Sequence, residues 1–279
     1  MIARASAFAL LVAAQVLAQS PAPDPTQEAG RINARLAMEY LKRDQLQVAQ
    51  EKIEKALVQN PRDVNVQLSA GLVYERLREN KAAEKHFRQA VRIAPDSPEA
   101  LNALGSYLCR NKQQAKGEEM FVKAANNPLY RTPFVAYTNA GVCARSAGQL
   151  ERAERYLRQA LTSQVDYPET YAQLAGVLHE RGNNLHARAF VERYLAIAPA
   201  TADMLLLGYN IEVAMKDQSA AAGFRSRLEK EFPDSEQARR VASQPDRNPA
   251  ARYVFDSPPM VRTSRSGASA AAQWCRASS

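Results

Sequence analysis

The sequence predicts an all-α fold, a solenoid of six helical hairpins, on three observations. Small residues recur at Ala37, Gly71, Gly105, Gly141, Ala175 and Gly208, with spacings of 34, 34, 36, 34 and 33. A second small-residue series, Ala49, Ala83, Gly117, Ala153, Ala187 and Ala220, keeps those spacings, always 12 residues behind the first. A bulky series, Ile53, Phe87, Phe121, Leu157, Val191 and Phe224, comes 4 residues later still. Two helices cross closely only where Gly, Ala or Ser lets their backbones approach, and a bulky residue one turn on fills the gap beside the crossing.

A period near 34 residues with small residues at two fixed places is the signature of the tetratricopeptide repeat, a pair of antiparallel helices that stacks on copies of itself. Taken in order, residues 1–18 have the form of an export signal. Arg4 supplies the positive start, Ala5 to Val16 the apolar stretch, and Val16-Leu17-Ala18 the small-residue cleavage site before Gln19. The apolar run, about a dozen residues interrupted by Gln15, is too short to span a bilayer. Gln19 and Ser20 stand where a lipoprotein would carry its cysteine, so a lipid anchor is not supported.

Residues 19–29, with Pro21, Pro23 and Pro25, are predicted to form a linker. The repeats are expected over 30–63, 64–97, 98–133, 134–167, 168–200 and 201–233. Pro61, Pro95 and Pro199 close three of them, where a helix must stop. Pro98 behind Ser97 suits the first turn of a helix. The stretch Asn126–Pro133 holds the two-residue insertion behind the spacing of 36. Residues 234–243 suit a short capping helix, with Asp234 and Ser235 at its start and Ala238 and Val241 on one face. Beyond Gln244, Pro245, Pro249, Pro258 and Pro259 mix with Ser, Ala and Arg, and no periodicity survives. Residues 244–279 are therefore expected to be a disordered basic tail.

The chain of 279 residues carries a formal charge of +8. Its location decides what that charge means. From Arg239 to Ser279 there are 7 arginines and 2 aspartates, a net of +5. The excess is on neither a helix face nor an aromatic-rich segment, which excludes nucleic acid as the expected partner. His179-Glu180 invites comparison with a zinc-protease helix, but the second histidine belongs at 183, which is Asn183, and His186 has the wrong spacing. No phosphate-binding loop, nucleophile elbow or dinucleotide fingerprint is present, and carboxylate pairs such as Glu118-Glu119 sit among lysines on helical faces. The expectation is a protein with no catalytic residues, no cofactor, no metal and no small-molecule substrate, working through a protein partner.

Two sets of residues stand out. Cys109 is residue 12 of its repeat and Cys143 residue 10 of the next. Two residues of helix rise amount to about 3 Å, so the pair falls at nearly the same level of neighbouring first helices. In an oxidising compartment such a pair closes to a disulfide; the alternative is two reduced cysteines packing as small apolar groups. Cys275, in the tail, has no intramolecular mate. The second set is Ala34, Met38, Leu41, Leu68 and Leu72, at positions that line the inner face of the first two repeats. The internal ladders do not need them apolar, which points to a partner groove. The alternative is that Leu68 and Leu72 pack between neighbouring first helices. Farther along, Asn102, Arg110, Thr138, Arg145 and His179 make this face polar.

Several details go beyond a generic repeat. Tyr107-Leu108-Cys109, Asn127-Pro128-Leu129-Tyr130 and Asn139-Ala140-Gly141-Val142-Cys143 resemble the PilF/PilW family of type IV pilus biogenesis proteins, as do Arg193-Tyr194-Leu195 with Ala198-Pro199, and Phe232-Pro233-Asp234-Ser235. The resemblance covers about residues 30 to 240, and the tail after Gln244 lies outside it. It implies a periplasmic accessory protein at the inner face of the outer membrane, a pilotin that helps the secretin subunits of the pilus pore assemble. The partner implied is a secretin subunit or another pilus component. A general periplasmic interaction module in envelope maintenance is the alternative, against which the two cysteines and the insertion between them speak.

Overall fold

The computed structural model describes residues 24–163 and 165–243, and the described residues form thirteen α-helices and no strand. The chain divides into two compact units at Pro199 and Ala200. The first holds α1 (Pro25–Lys42), α2 (Leu46–Gln59), α3 (Val64–Arg76), α4 (Asn80–Ile93), α5 (Pro98–Arg110), α6 (Gln114–Ala125), α7 (Pro133–Ser146), α8 (Leu150–Leu161), α9 (Pro168–Glu180) and α10 (Asn184–Ile197). The second holds α11 (Ala202–Met215), α12 (Gln218–Glu231) and α13 (Glu236–Ala242). The export signal, residues 19–23 of the expected linker, the basic tail and Cys275 lie outside the described residues.

Within the first unit consecutive helices pair as hairpins. Each odd-numbered helix also packs on the next, α1 on α3 through to α7 on α9. The ladders of small and bulky residues are the crossings themselves. A Cβ added to Gly71 of α3 would lie 2.6 Å from Cε1 of Phe87 on α4, and one on Gly141 of α7 2.6 Å from Cγ of Leu157 on α8. In the third hairpin glycine stands on both sides of the crossing. A Cβ on Gly117 would lie 2.8 Å from the carbonyl oxygen of Gly105, a contact that leaves no room for the alanine found there in other repeats.

Local signals set the helix ends. The Asp63 carboxylate accepts from the N–H groups of Asn65 and Val66 at 2.9 and 3.1 Å, capping α3, and from Arg31 Nε of α1 at 2.8 Å. Burial pushes this carboxyl up, but Arg31 and the two N–H groups outweigh it and hold it below its ordinary value. Ser97 caps α5, while Pro98, Pro133 and Pro168 occupy first-turn positions. Helices α2, α4 and α10 stop two residues before Pro61, Pro95 and Pro199.

One boundary differs from expectation. Residues 25–29, predicted as linker, are the opening of α1. Pro25 is a first-turn proline there, Asp24 accepts from Thr26 N at 2.9 Å, and Asn60 Nδ2 donates to the Gln27 carbonyl at 3.2 Å. A proline that ends a helix from behind starts one from in front, and the sequence pattern alone does not separate the two.

In the second unit α11 and α12 pair as a hairpin, with Gly208 against the ring of Phe224. Helix α13 buries Ala238 and Val241, the latter next to Tyr209 and Ala221. Ser235, rather than Asp234, caps α13 by accepting from Ala238 N at 3.0 Å.

Most buried polar side chains inside the first unit find partners, Asn102 Oδ1 being an exception. Gln67 is buried, donates to the Pro61 carbonyl at 2.7 Å and accepts at 2.7 Å from Nδ1 of His86, whose ring stacks on Tyr74. Burial, with Lys85 nearby as a smaller cause, holds the His86 imidazole below its ordinary value of 6.5.

Gly71→Ala is expected to cost about 1–3 kcal/mol in urea unfolding by overpacking against Phe87, and Phe87→Leu to recover part of that in the double variant. Equal losses in the single and double variants would contradict it. His86 gives a second prediction. Because the folded form takes up its proton at lower pH than the unfolded chain, the unfolded state binds more protons below pH ~6.5. Stability is therefore complete above that value and falls as the pH drops through the folded pKa. His86→Gln is expected to flatten that limb of the urea midpoint between about pH 7 and 5, whereas an unchanged slope would show that other groups carry it.

Candidate functional site

Helices α1 and α3 lie side by side, and Met38 of α1 stands between two adjoining clefts. One, of 420 Å³, is lined by Glu28, Arg31, Ala34, Arg35, Asn65 and Ser69 around Met38. The other, of 750 Å³, has Leu41, Leu46 and Leu72 around Met38, with Asp44, Glu75, Arg76 and Arg78 at its rim. Of the five residues expected in a groove, three are brought together as accessible apolar groups: Met38, Leu41 and Leu72, the last 37% exposed.

The other two have different places. Ala34 is only 3% exposed and belongs to the core with Ala37, Ile53 and Val66, so it supplies floor rather than contact surface. Leu68 lines neither cleft. Its half-buried side chain packs against the cluster of Ala83, Phe87, Leu104, Tyr107 and Leu108, which α5 shares with α4, in line with the alternative that the sequence left open. Leu46 was missed because it comes from α2, just past the turn, where no first-helix pattern points.

Most of the charges around the groove are taken up by neighbouring groups. Arg76 reaches Asp44 at 2.8 Å, Arg31 reaches Asp63 at 2.8 Å and Glu28 at 3.5 Å, Arg35 reaches Glu28 at 3.6 Å, and Lys42 reaches Glu39 at 2.8 Å. Exposed pairs of this kind contribute little stability, but they leave the middle of the groove to uncharged side chains.

The polar residues expected farther along are engaged in the same way. Arg110 donates to both carboxylate oxygens of Glu75 at 2.9 and 2.8 Å. Arg145 binds Gln173 at 2.8 Å and Glu180 at 3.0 Å, lying across Gly176, where a Cβ would come within 2.7 Å of its Nη2. Thr138 and Thr170 share a buried hydrogen bond of 2.7 Å. His179 is bonded to Asn184 at 2.6 Å, so the His179-Glu180 pair is consumed by its neighbours. Asn102 donates to the Tyr130 hydroxyl at 3.0 Å.

Cys109 of α5 and Cys143 of α7 stand with Cα atoms 5.7 Å apart and sulfurs in bonding contact. That separation lies within the range a disulfide spans. Between them in sequence, the insertion is pinned rather than loose. Asn127 accepts from Leu129 N at 2.9 Å and donates to the Asp96 carbonyl at 2.6 Å, while Tyr137 donates to Asn126 at 3.0 Å. Leu129 is left 87% exposed at its tip. No helix among the described residues is long and apolar enough to cross a membrane.

Two family models, both described as tetratricopeptide repeat, match residues 35–98 and 135–164. Among curated proteins, the type IV pilus assembly protein PilF of Pseudomonas aeruginosa is 22% identical over 200 residues, covering 72% of this chain and 79% of its own. Among solved structures, PilW, described as a widely conserved type IV pilus biogenesis factor, is 34% identical with a TM-score of 0.69, over 77% of this chain and 98% of that one. The structure of Pseudomonas aeruginosa PilF superposes with a TM-score of 0.66 at 21% identity, over 78% of this chain and 99% of its own, a likeness of fold.

The cysteine pair yields a prediction. Protein purified without reductant is expected to give a Cys109–Cys143 linked peptide on digestion and mass spectrometry. Cys143→Ala is expected to lose about 2–4 kcal/mol, since the bond closes a loop across a separation of 34 residues. Two separately alkylated peptides would instead assign the pair to reduced packing.

Proposed function

Since the chain belongs to the PilF/PilW family of type IV pilus biogenesis proteins, we propose that it is a non-catalytic scaffold assisting assembly or outer-membrane localisation of the secretin pore. It works in the periplasm, in peripheral association with the inner face of the outer membrane, and its partner is a secretin subunit or another pilus component. The observation that carries this reading is the groove between α1 and α3. Met38, Leu41 and Leu72 are accessible apolar side chains, framed by charges most of which are paired.

Such a groove holds a helix or an extended segment by burying its apolar side chains. Met38 adapts to the contact shape because its unbranched thioether samples many rotamers. The export signal and the Cys109–Cys143 pair support an oxidising compartment.

The double change Met38→Ala with Leu72→Ala is expected to weaken twitching motility and reduce heat-stable secretin multimers while leaving the melting profile nearly intact. Truncating a central contact in such an interface costs above about 2 kcal/mol, roughly thirtyfold in affinity. Wild-type motility and multimers in that strain would move the binding site elsewhere, and an unfolded variant would make these residues core.

A further inference from the structure

Of the charged side chains that line the two clefts beside Met38, all but one are paired. In the smaller cleft Glu28 holds Arg31 and Arg35, and Glu39 holds Lys42. In the larger, Arg76 holds Asp44 and Arg110 holds Glu75. Arg78 is the exception. It lines the larger cleft, is exposed, and has no ion pair or side-chain hydrogen bond among the described residues. Glu79, beside it in sequence, lines neither cleft.

The backbone at Arg78, in the turn between α3 and α4, is left-handed, with φ of 62°. Gly148 and Gly182 meet the same need in the fourth and fifth hairpins, at φ of 72° and 78°, with no Cβ to strain. An arginine therefore stands where the turn itself favours glycine, next to Leu41, Leu46 and Leu72. Lys112 holds the equivalent position one repeat on, at φ of 60°, and it too has no ion pair among the described residues. Asp44, the equivalent residue of the first hairpin, is neutralised by Arg76. The turns beside the groove thus carry unmatched positive charge.

We propose, resting on the groove as the binding site, that Arg78 is its specificity-determining residue and pairs with a side-chain carboxylate of the bound segment. The occupant is then a segment whose apolar anchors, seated on Met38, Leu41, Leu46 and Leu72, are flanked by Asp or Glu. A side chain fits better than a chain terminus, because the two clefts adjoin at Met38 and a segment lying in both passes through them. The planar guanidinium matches a carboxylate with two parallel N–H donors. A basic segment would be repelled, so discrimination comes from repulsion as well as attraction.

The test is a phage-displayed library of random peptides, panned on the full chain, on Arg78→Glu and on the double change Met38→Ala with Leu72→Ala. The unaltered chain is expected to enrich peptides with Asp or Glu beside an apolar cluster. Arg78→Glu is expected to enrich Lys or Arg there instead, and the double variant to enrich neither. A selected peptide, amidated and followed by fluorescence anisotropy, is expected to bind Arg78→Glu about tenfold more weakly than the unaltered chain. Its analogue with glutamine for the acidic residue should lose most of that difference. Arg78→Gly, which suits the left-handed turn, is expected to weaken binding while the melting temperature holds or rises.

Peptides that are lost in the double variant but show no acidic preference, or keep it on Arg78→Glu, overturn the proposal and leave the groove standing. No enrichment by the unaltered chain, or equal enrichment by the double variant, removes the groove and the proposal together. Tighter binding of the free-acid peptide than of its amide, with the glutamine analogue unchanged, assigns Arg78 to a chain terminus and overturns it. A lowered melting temperature in Arg78→Gly with binding intact assigns Arg78 to the turn, which also overturns it.

Discussion

The close approach of the two helices in each hairpin is the constraint on which the rest of the first unit depends. At Gly71 and Gly141 the space that a Cβ would take is filled by Phe87 and Leu157, and at Gly105 and Gly117 two backbones nearly touch. A pair held this tightly has little interior of its own. Most of its apolar surface is turned toward the hairpins on either side, so neighbours are required for burial and the array grows by stacking. The core accordingly appears as a series of clusters, several of them drawing on two successive hairpins, as Val66, Ala70 and Val73 do with Ile53 and Ala56.

Stacking brings side chains one repeat apart in sequence into reach of each other, and the chain uses this for polar contacts as well. Arg31 with Asp63, Arg76 with Asp44, Arg110 with Glu75, Arg145 with Glu180 and Arg152 with Glu118 each join groups about one repeat apart. Their combined effect on the surface matters more than their individual energies. With these cations and carboxylates tied to neighbours, the accessible character of the inner face near α1 and α3 is decided by Met38, Leu41, Leu46 and Leu72. The junction between the third and fourth hairpins differs, with Cys109 and Cys143 side by side and an insertion that Asn127 pins to the backbone of Asp96.

Hairpins, crossings and most helix ends were legible in the sequence because each rests on a local rule: a small residue at a crossing, a proline past a helix end, a capping side chain before one. The periodic spacing carried these rules from one repeat to the next, and it placed Cys109 beside Cys143 before any coordinates were needed. The start of α1 was misread for the same local reason, since Pro25 fits both a linker and a first turn, and only Asp24 and Asn60, contacting the backbone of residues 26 and 27, separate the two.

What the sequence determined by itself, then, was the repeat and its register. What only the tertiary structure decided was which side chains are free. Met38 and Leu68 are both apolar residues on inner-face positions, yet one lines two clefts and the other is packed against the cluster that holds Leu104, Tyr107 and Leu108. Arg145 reads as one more polar residue of the inner face until Gly176 is seen to let it lie across α9 toward Glu180. Ile32 repeats the pattern of Val66 and is exposed where Val66 is buried. The physical reason is common to all three. Periodicity reports which face of a helix a residue occupies, whereas burial depends on what stands opposite that face, and that is settled by neighbours about 34 residues away.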